Sequence, residues 1–534
     1  MNPQLQIVDS DVLIIGSGIA GLEAALSVLK SGRHPLLVSK APIGKANNTI
    51  LAGGAFTCAT DDFSVEAHIE KTLQSGCRIN NKQLVEQFAK RAPDKIKTLQ
   101  DMGLFGKSHP TGFHCRSTSM VGGPDISAVL VRACRKAGIR FLENMVLTDL
   151  IIHSGRCRGA LGFNKRTGER YGLKSGAVIL ATGGAGASYR QNDNAPGATG
   201  DGYLLALEAG LELVDMEFVQ FYPMAYAGSG RGHMIIPAVF ADIGEIVNRH
   251  GEDLKKKYGL FEKPVAIVSR DRLSQALFRE LVLGNDVDGA LLLDMRKADD
   301  SQLLFNENLK ARFRKKISYD TVPVKIIPAC HHTMGGVSVD VECRTEIEGL
   351  FAAGEITGGI HGANRVGGNA LCEAMVLGEQ AGISASRHVE NLKPFTGFEI
   401  RAEKVAKRRF DPEISGSMDV STLMRSLKKS LWECVGIIRS RITLEKGIAQ
   451  IDGILSDLKH VRADSPVEHH RLFECRSAAV AGKTIAVSAL KRTESRGAHY
   501  REDYPAEQDA WLKHIHVRMN AGGDIGISRI EPVV

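Results

Sequence analysis

Aromatic residues are scarce in this 534-residue chain, at 6% with only two tryptophans. Extended aromatic platforms for stacking nucleic-acid bases are therefore not expected. There are ten cysteines, but no two stand in a Cys-x-x-Cys spacing. That leaves no sequence case for a zinc site or an iron–sulfur cluster within the chain, and no metal is expected. Ten unpaired-looking cysteines in a large protein suit a reducing compartment. No apolar stretch is long enough to span a bilayer, and the N-terminus has no basic segment followed by an apolar run and a cleavage site. The expected location is cytoplasmic, with any membrane attachment peripheral and through partner subunits. Charge of one sign is not concentrated either. The net charge is +7, and the runs Lys255-Lys256-Lys257, Lys315-Lys316 and Lys407-Arg408-Arg409 are short and scattered. They suit solvated helix faces better than a nucleic-acid footprint. A docking surface for an acidic partner protein stays open.

What the chain has in quantity is glycine, 56 residues. Several glycines fall where a nucleotide fold needs them. Residues 11–16 (DVLIIG) form a continuous apolar run, as in a buried parallel strand. Residues 19–30 predict a helix stopped by Ser31-Gly32, and 35–39 predict the next strand. The turn between them is Gly16-Ser17-Gly18-Ile19-Ala20-Gly21. The first glycine permits the tight turn, the second admits a pyrophosphate to the backbone, and the third lets helix and strand pack closely. The helix N-terminus then offers free N–H groups and a positive dipole end to phosphate. The order strand, turn, helix, strand makes this a specific signal of a doubly wound, Rossmann-like domain. The second strand ends in Ser39-Lys40, with no acid for a ribose 2′-hydroxyl. That weakens an NAD reading and leaves FAD open.

Further strand-plus-glycine units stand at 176–184 and 349–354. The stretch of roughly 225–330 between them carries mixed signals and no nucleotide signature, as an inserted domain would. Residues 417–460 and 465–491 predict helices, and the last forty residues suggest a polar, strand-poor tail.

Nine ordered motifs carry a family resemblance. They are GSGIAG, NNTILAGGAF, AVILATGGAG, Thr199-Gly200-Asp201-Gly202, MEFVQFYP, SRDRLSQAL, HHTMGGVSVD, GLFAAGEITGGIHGANRVGGNAL and ESRGAHYREDYP. With them the chain resembles the flavoprotein subunits of the fumarate reductase, succinate dehydrogenase and L-aspartate oxidase family. The resemblance implies an α/β fold in which a doubly wound FAD-binding domain (1–225 and 331–392) holds an inserted α+β capping domain (226–330), followed by a C-terminal helical domain and tail (393–534). It implies FAD contacts from Gly16, Gly18, Gly21, Ser39, Lys40, Asn48, Thr49, Gly53, Gly54, Ala181, Gly183, Asp201, Glu355, Asn369 and Leu371. Asn48 stands where membrane-bound members carry a histidine that tethers the flavin, so the expected FAD is non-covalent.

The substrate motifs are mixed. Arg365 matches the family arginine that clamps a substrate carboxylate, which a planar guanidinium does through both oxygens. His331 matches a histidine at the same carboxylate. Arg270, in SRD, matches a family position and either acts there or braces the capping domain. Tyr222 replaces a family histidine, Met224 a threonine, and Phe240 the family's proton-delivering arginine. Proton-donor candidates in the altered loop are Arg231, His233, Tyr222 and Asp242. His331-His332 is a poor metal pair, because neighbours on a strand face opposite ways. Cys330 and Cys372 suit core positions, and Arg496 and His499 suit domain bracing.

These features favour an oxidoreductase moving hydride between flavin and a C–C bond next to a carboxylate or thioester carbonyl, with a small-molecule substrate other than a simple dicarboxylate. An iron–sulfur partner protein would exchange the electrons. Two alternatives stand beside it: a stand-alone oxidase like L-aspartate oxidase, and a non-catalytic electron-transfer subunit of a larger complex.

Overall fold

The computed structural model describes residues 4–115, 121–228, 234–303, 307–390, 392, 395–410 and 418–533. Five parallel strands form its centre, in the order Arg140–Glu143, Pro35–Ser39, Gln6–Ile15, Arg170–Leu180 and Leu350–Ala352. Val12–Ile15 and Ala177–Leu180 are buried, as parallel strands covered on both faces must be. Arg170–Leu180 has two roles. One edge pairs in parallel with Gln6–Ile15 along its length, while on the other edge its first half closes an antiparallel meander with Arg156–Asn164 and Met145–His153 and its second half pairs in parallel with Leu350–Ala352.

The helix Ile19–Lys30 starts where the turn motif predicts. It packs against Asn369–Val389 through small residues: a Cβ on Gly378 would stand 2.4 Å from Ala20 O, and one on Gly382 2.7 Å from Ala24 O. Larger residues there would push the cofactor helix off the sheet.

A four-stranded antiparallel sheet, ordered Val219–Tyr226, Val324–Thr333, Leu291–Asp294, Glu245–Val247, carries a second apolar cluster. That cluster draws its buried residues from Tyr222 to Ile326 and includes Phe240, Leu273, Leu277 and Phe313. The two longest strands of this sheet, Val219–Tyr226 and Val324–Thr333, pair with each other, and Cys330 also bridges to Asn192.

One expectation is refined and one corrected. The stretch 417–460 is helical as expected, though not as a single run. Its described part is two helices, Val420–Cys434 and Arg441–Asp457. Between them Arg439 N donates to Tyr500 O, and Glu502 N donates to Arg439 O. A tertiary backbone pairing thus replaces helix bonds, and Ser440 restarts the helix with a capping box. The tail is not strand-poor. Lys513–Met519 and Ile525–Pro532 form a hairpin that extends a small sheet with Leu213–Val214 and Gly336–Val337. Ile515, His516 and Val517 are all buried on it and Arg518 is exposed, so the middle of the strand is covered on both faces.

Candidate functional site

One cavity of about 650 Å³ runs beneath the Gly-rich turn to the edge of the second apolar cluster. Thirteen of the expected cofactor residues line it: Gly16, Gly18, Ser39, Lys40, Asn48, Thr49, Gly53, Gly54, Ala181, Gly183, Asp201, Glu355 and Leu371. Gly21 and Asn369 do not. A Cβ on Gly21 would stand 1.9 Å from Gly16 O, so its absence lets helix and turn touch. Asn369 is fully buried and joins His68 Nε2 and Thr72 Oγ1, each at 3.0 Å.

The lining fits a dinucleotide. Gly18 heads the helix with no side-chain cap, which leaves that terminus for phosphate. Gly53 and Gly183 have no atom within 4 Å of a Cβ position, so bare backbone faces the cavity there. Gly16 has φ +118°, and a Cβ would stand 2.1 Å from Ala181 O. Gly16→Ala is therefore expected to lose FAD, seen as a colourless protein after gel filtration. A yellow variant with unchanged FAD content would contradict this.

Lys40 Nζ donates to Gly197 O (2.9 Å), Asp201 Oδ2 (2.7 Å) and Glu474 Oε1 (2.7 Å). The two carboxylates push the ammonium group up, against burial. Glu474 and His470 also line the cavity, so the C-terminal helix Pro466–Lys491 helps close it. Asn48 is fully engaged. Its amide donates to Asn194 Oδ1 (2.7 Å) and Glu355 Oε2 (3.1 Å), and its oxygen accepts from Ala195 N (2.9 Å).

At the other end the four expected substrate residues, Tyr222, Arg270, His331 and Arg365, line the same cavity. Arg365 is 7% exposed and donates from Nη2 to Gln220 Oε1 (3.0 Å). Gln220 in turn donates to Arg365 O and to Asn364 Oδ1, which holds this segment in place. Arg270, also buried, donates from Nη1 to Arg365 O at 3.1 Å. Neither guanidinium makes an ion pair among the described residues, although Glu355, Asp193 and Glu373 act on Arg365 and Asp271 on Arg270 from longer range, and the Nε of each is buried without a partner. Burial and the charge of Arg270 hold Arg365 down to about 9, and burial lowers Arg270. Two cations packed together in this way create a local demand for an anion.

His331 Nδ1 meets Asp193 Oδ2 at 2.7 Å, an orientation that leaves Nε2 as the ring's other polar atom. Tyr222 packs its ring on His331, centroids 5.8 Å apart, but gives its hydroxyl proton to Ile236 O at 2.8 Å. Burial pushes that phenol up. Asp242 accepts from Val265 N and does not line the cavity. Arg231 and His233 lie outside the described residues. Phe240 is fully buried against Phe313 and Tyr319, inside the capping core rather than on the cavity wall. The apolar wall on that side is Ile235, Ala238 and Ile267.

Sequence reasoning gave no role to Asp193, Gln220 or Glu474, nor to the buried surroundings of Glu355 behind Arg365. Gln220 lies inside MEFVQFYP and Asp193 between two recognised motifs, which was the available signal. In those surroundings, His332 Nδ1 lies 3.4 Å from Glu355 Oε1 and its ring stacks edge-on to His361. Burial keeps both histidines neutral, with His361 lowered to about 3. Burial, then the charge of Glu355, raises Glu373 to about 8. A carboxyl raised from 4.5 favours the fold while protonated. Its contribution is complete below about pH 4.5 and is lost as pH rises through about 8. Glu373→Gln is expected to match wild type near pH 4.5 and to exceed its melting temperature above pH 8. Calorimetry across that range checks it, and parallel profiles would count against it.

Cys330 and Cys372 are fully buried core residues, and burial raises both thiols. Arg496 donates to Cys77 O and pairs with Glu494, while His499 bonds Arg439. Both lie away from the cavity lining.

Comparison with known proteins agrees with this geometry. Residues 11–371 match a family profile described as FAD binding domain, and residues 424–534 match one described as fumarate reductase flavoprotein C-term. The chain is 33% identical to an uncharacterized FAD-dependent oxidoreductase of Methanocaldococcus jannaschii, covering 95% of this chain and 96% of the relative. It is 31% identical to a fumarate reductase (CoM/CoB) subunit of Methanothermobacter marburgensis, covering 96% and 97%. Among solved structures, a variant of E. coli quinol fumarate reductase FrdA superposes with a TM-score of 0.90 at 28% identity, over 99% of this chain and 98% of that one.

Proposed function

The chain belongs to the fumarate reductase and succinate dehydrogenase flavoprotein family and is an FAD-dependent oxidoreductase; from that premise we propose that it oxidises or reduces a C–C bond next to a carboxylate in a substrate other than a simple dicarboxylate. The observation that carries this reading is the Arg270–Arg365 pair, buried beside the cavity with no ion-pair partner among the described residues. FAD, held by the Gly16–Gly21 turn, Lys40, the 48–54 segment and Glu355, would supply hydride chemistry at its N5.

The protein groups supply the rest. Arg365 takes the substrate carboxylate on its fork, and Gln220 fixes the angle of that fork. Arg270 adds a second positive charge to the same anion and keeps it ionised. His331, oriented by Asp193, presents its remaining ring nitrogen as a donor or acceptor. Ile235, Ala238 and Ile267 exclude water, which strengthens each of these contacts.

Onward electron exchange is assigned to a separate iron–sulfur protein. Among the described residues no cluster of His, Cys, Asp or Glu could hold a metal, and all ten cysteines are free. No helix among them is long and apolar enough to cross a membrane.

The reaction class is tested anaerobically. The FAD-loaded protein is reduced, offered α,β-unsaturated acids and thioesters in turn, and watched for return of the oxidised flavin spectrum. At least one acid should restore it; silence from every member would overturn the reading. The FAD is assigned as non-covalent because Asn48 offers no nucleophile. Acid precipitation should leave a yellow supernatant, and flavin held in the pellet would refute it.

A further inference from the structure

Two of the cavity's cations, Arg270 and Arg365, stand together, with Arg270 Nη1 3.1 Å from Arg365 O, apart from Lys40, Lys45 and Lys165, which line it on the nucleotide side. Of the described residues of 226–330 that line the cavity (Ile235, Ala238, Ile267 and Arg270), Arg270 alone is charged. Two lining residues, Leu51 and Ile267, are large, apolar and open to solvent. Leu51 closes the short helix Asn48–Leu51 on the nucleotide side and is 44% exposed. Ile267, in the helix Val265–Val268 of the capping unit, is 51% exposed, and its neighbour Val268 is 55% exposed.

A single exposed aliphatic residue needs no explanation. Here two of them stand on different units and line one cavity whose inner wall is also apolar. Water gains nothing from covering them, whereas an apolar ligand group would. A second carboxylate in the same place would lose its hydration among Ile235, Ala238 and Ile267 without a cation in return.

We propose that the substrate is a carboxylate whose far end is an apolar group, a short alkyl chain or an aryl ring, seated between Leu51 and Ile267. This rests on the reading of Arg270 and Arg365 as the carboxylate site. It adds what that reading leaves open, the chemistry of the other end of the molecule. Binding the head fixes the tail, since head and tail sites share one cavity. Apolar bulk at the tail should then register as affinity.

The test is a titration of the oxidised FAD-loaded protein with crotonate, cinnamate and fumarate, read from the flavin difference spectrum. Cinnamate is expected to bind about tenfold or more tighter than crotonate, the scale of a few buried carbons. Fumarate is expected to bind weakest. Ile267→Asp and Leu51→Asp should each erase the advantage of cinnamate over crotonate. If crotonate and fumarate bind but cinnamate is excluded, or if the advantage survives both substitutions, this inference fails while the carboxylate site stands. If no acid binds, and Arg365→Met changes nothing, the carboxylate reading fails and this inference falls with it.

Discussion

Arg365→Met is expected to lower kcat/KM by about 1000-fold while leaving the melting temperature unchanged or raised. The first half follows from the role assigned to the guanidinium. A charge-assisted bidentate contact in a site that excludes water is among the larger single contributions to transition-state stabilisation, on the order of 3–4 kcal/mol. The second half follows from the surroundings. A buried arginine in an ordinary structural ion pair costs about 3–5 kcal/mol to remove, because its partner is left charged and unpaired. Arg365 has no such partner among the described residues, and it is repelled by Arg270. Its removal leaves Gln220 Oε1 without a donor, worth about 1–3 kcal/mol. Relief of the Arg270 repulsion opposes that loss. Steady-state kinetics with thermal unfolding of the same preparation separates the two effects. A variant that is inactive because it unfolds would show that Arg365 is structural.

Arg492→Leu is expected to be the most damaging substitution away from the cavity, at about 3–5 kcal/mol out of a total stability of roughly 5–15 kcal/mol. Arg492 is fully buried and joins Glu217 Oε1 (2.6 Å), Glu494 Oε1 (3.1 Å) and the carbonyls of Trp511 and Lys513. It therefore fastens the end of the last helix and the C-terminal hairpin to the strand that leads into the capping sheet. Without it, Glu217 would lie fully buried next to Asp215, and burial already pushes its carboxyl up. The reverse substitution, Glu217→Gln, should cost less. Arg492 keeps Glu494 and two carbonyls, and the amide still accepts a hydrogen bond. The double variant should cost less than the sum of the two single ones, because each alone strands a charge that the other removes. Urea unfolding of the three proteins measures this, and additive losses would show that the pair is not coupled.

The nucleotide half of the molecule was legible because its signal is local. Strand, glycine turn, helix and strand all lie within residues 6–39, and Gly21 answers a contact with Gly16 inside that stretch, whereas Gly16 itself answers Ala181. Long-range features were less readable. Glu474 reaches Lys40 across 434 residues, and no local pattern marks it. The hairpin at 513–532 was hidden by composition: His514, His516 and Arg518 make the segment polar, while the alternating Ile515 and Val517 carry the strand signal. Phe240 shows a different limit. Its alignment with a family arginine said that a cation was missing, but not where the aromatic ring would go. A large ring next to an apolar core enters that core, so the cavity wall fell to Ile235, Ala238 and Ile267, which no motif singled out.

The central claim is that one carboxylate is clamped by Arg365 and Arg270 and that the space beyond it is apolar. The most direct measurement is the rate at which crotonate and fumarate, at equal concentration, reoxidise the anaerobically reduced FAD-loaded protein. The account predicts that crotonate reacts at least about 100-fold faster, since an unpaired buried polar group discriminates on that scale or above. Fumarate reacting as fast as crotonate, or faster, would contradict it.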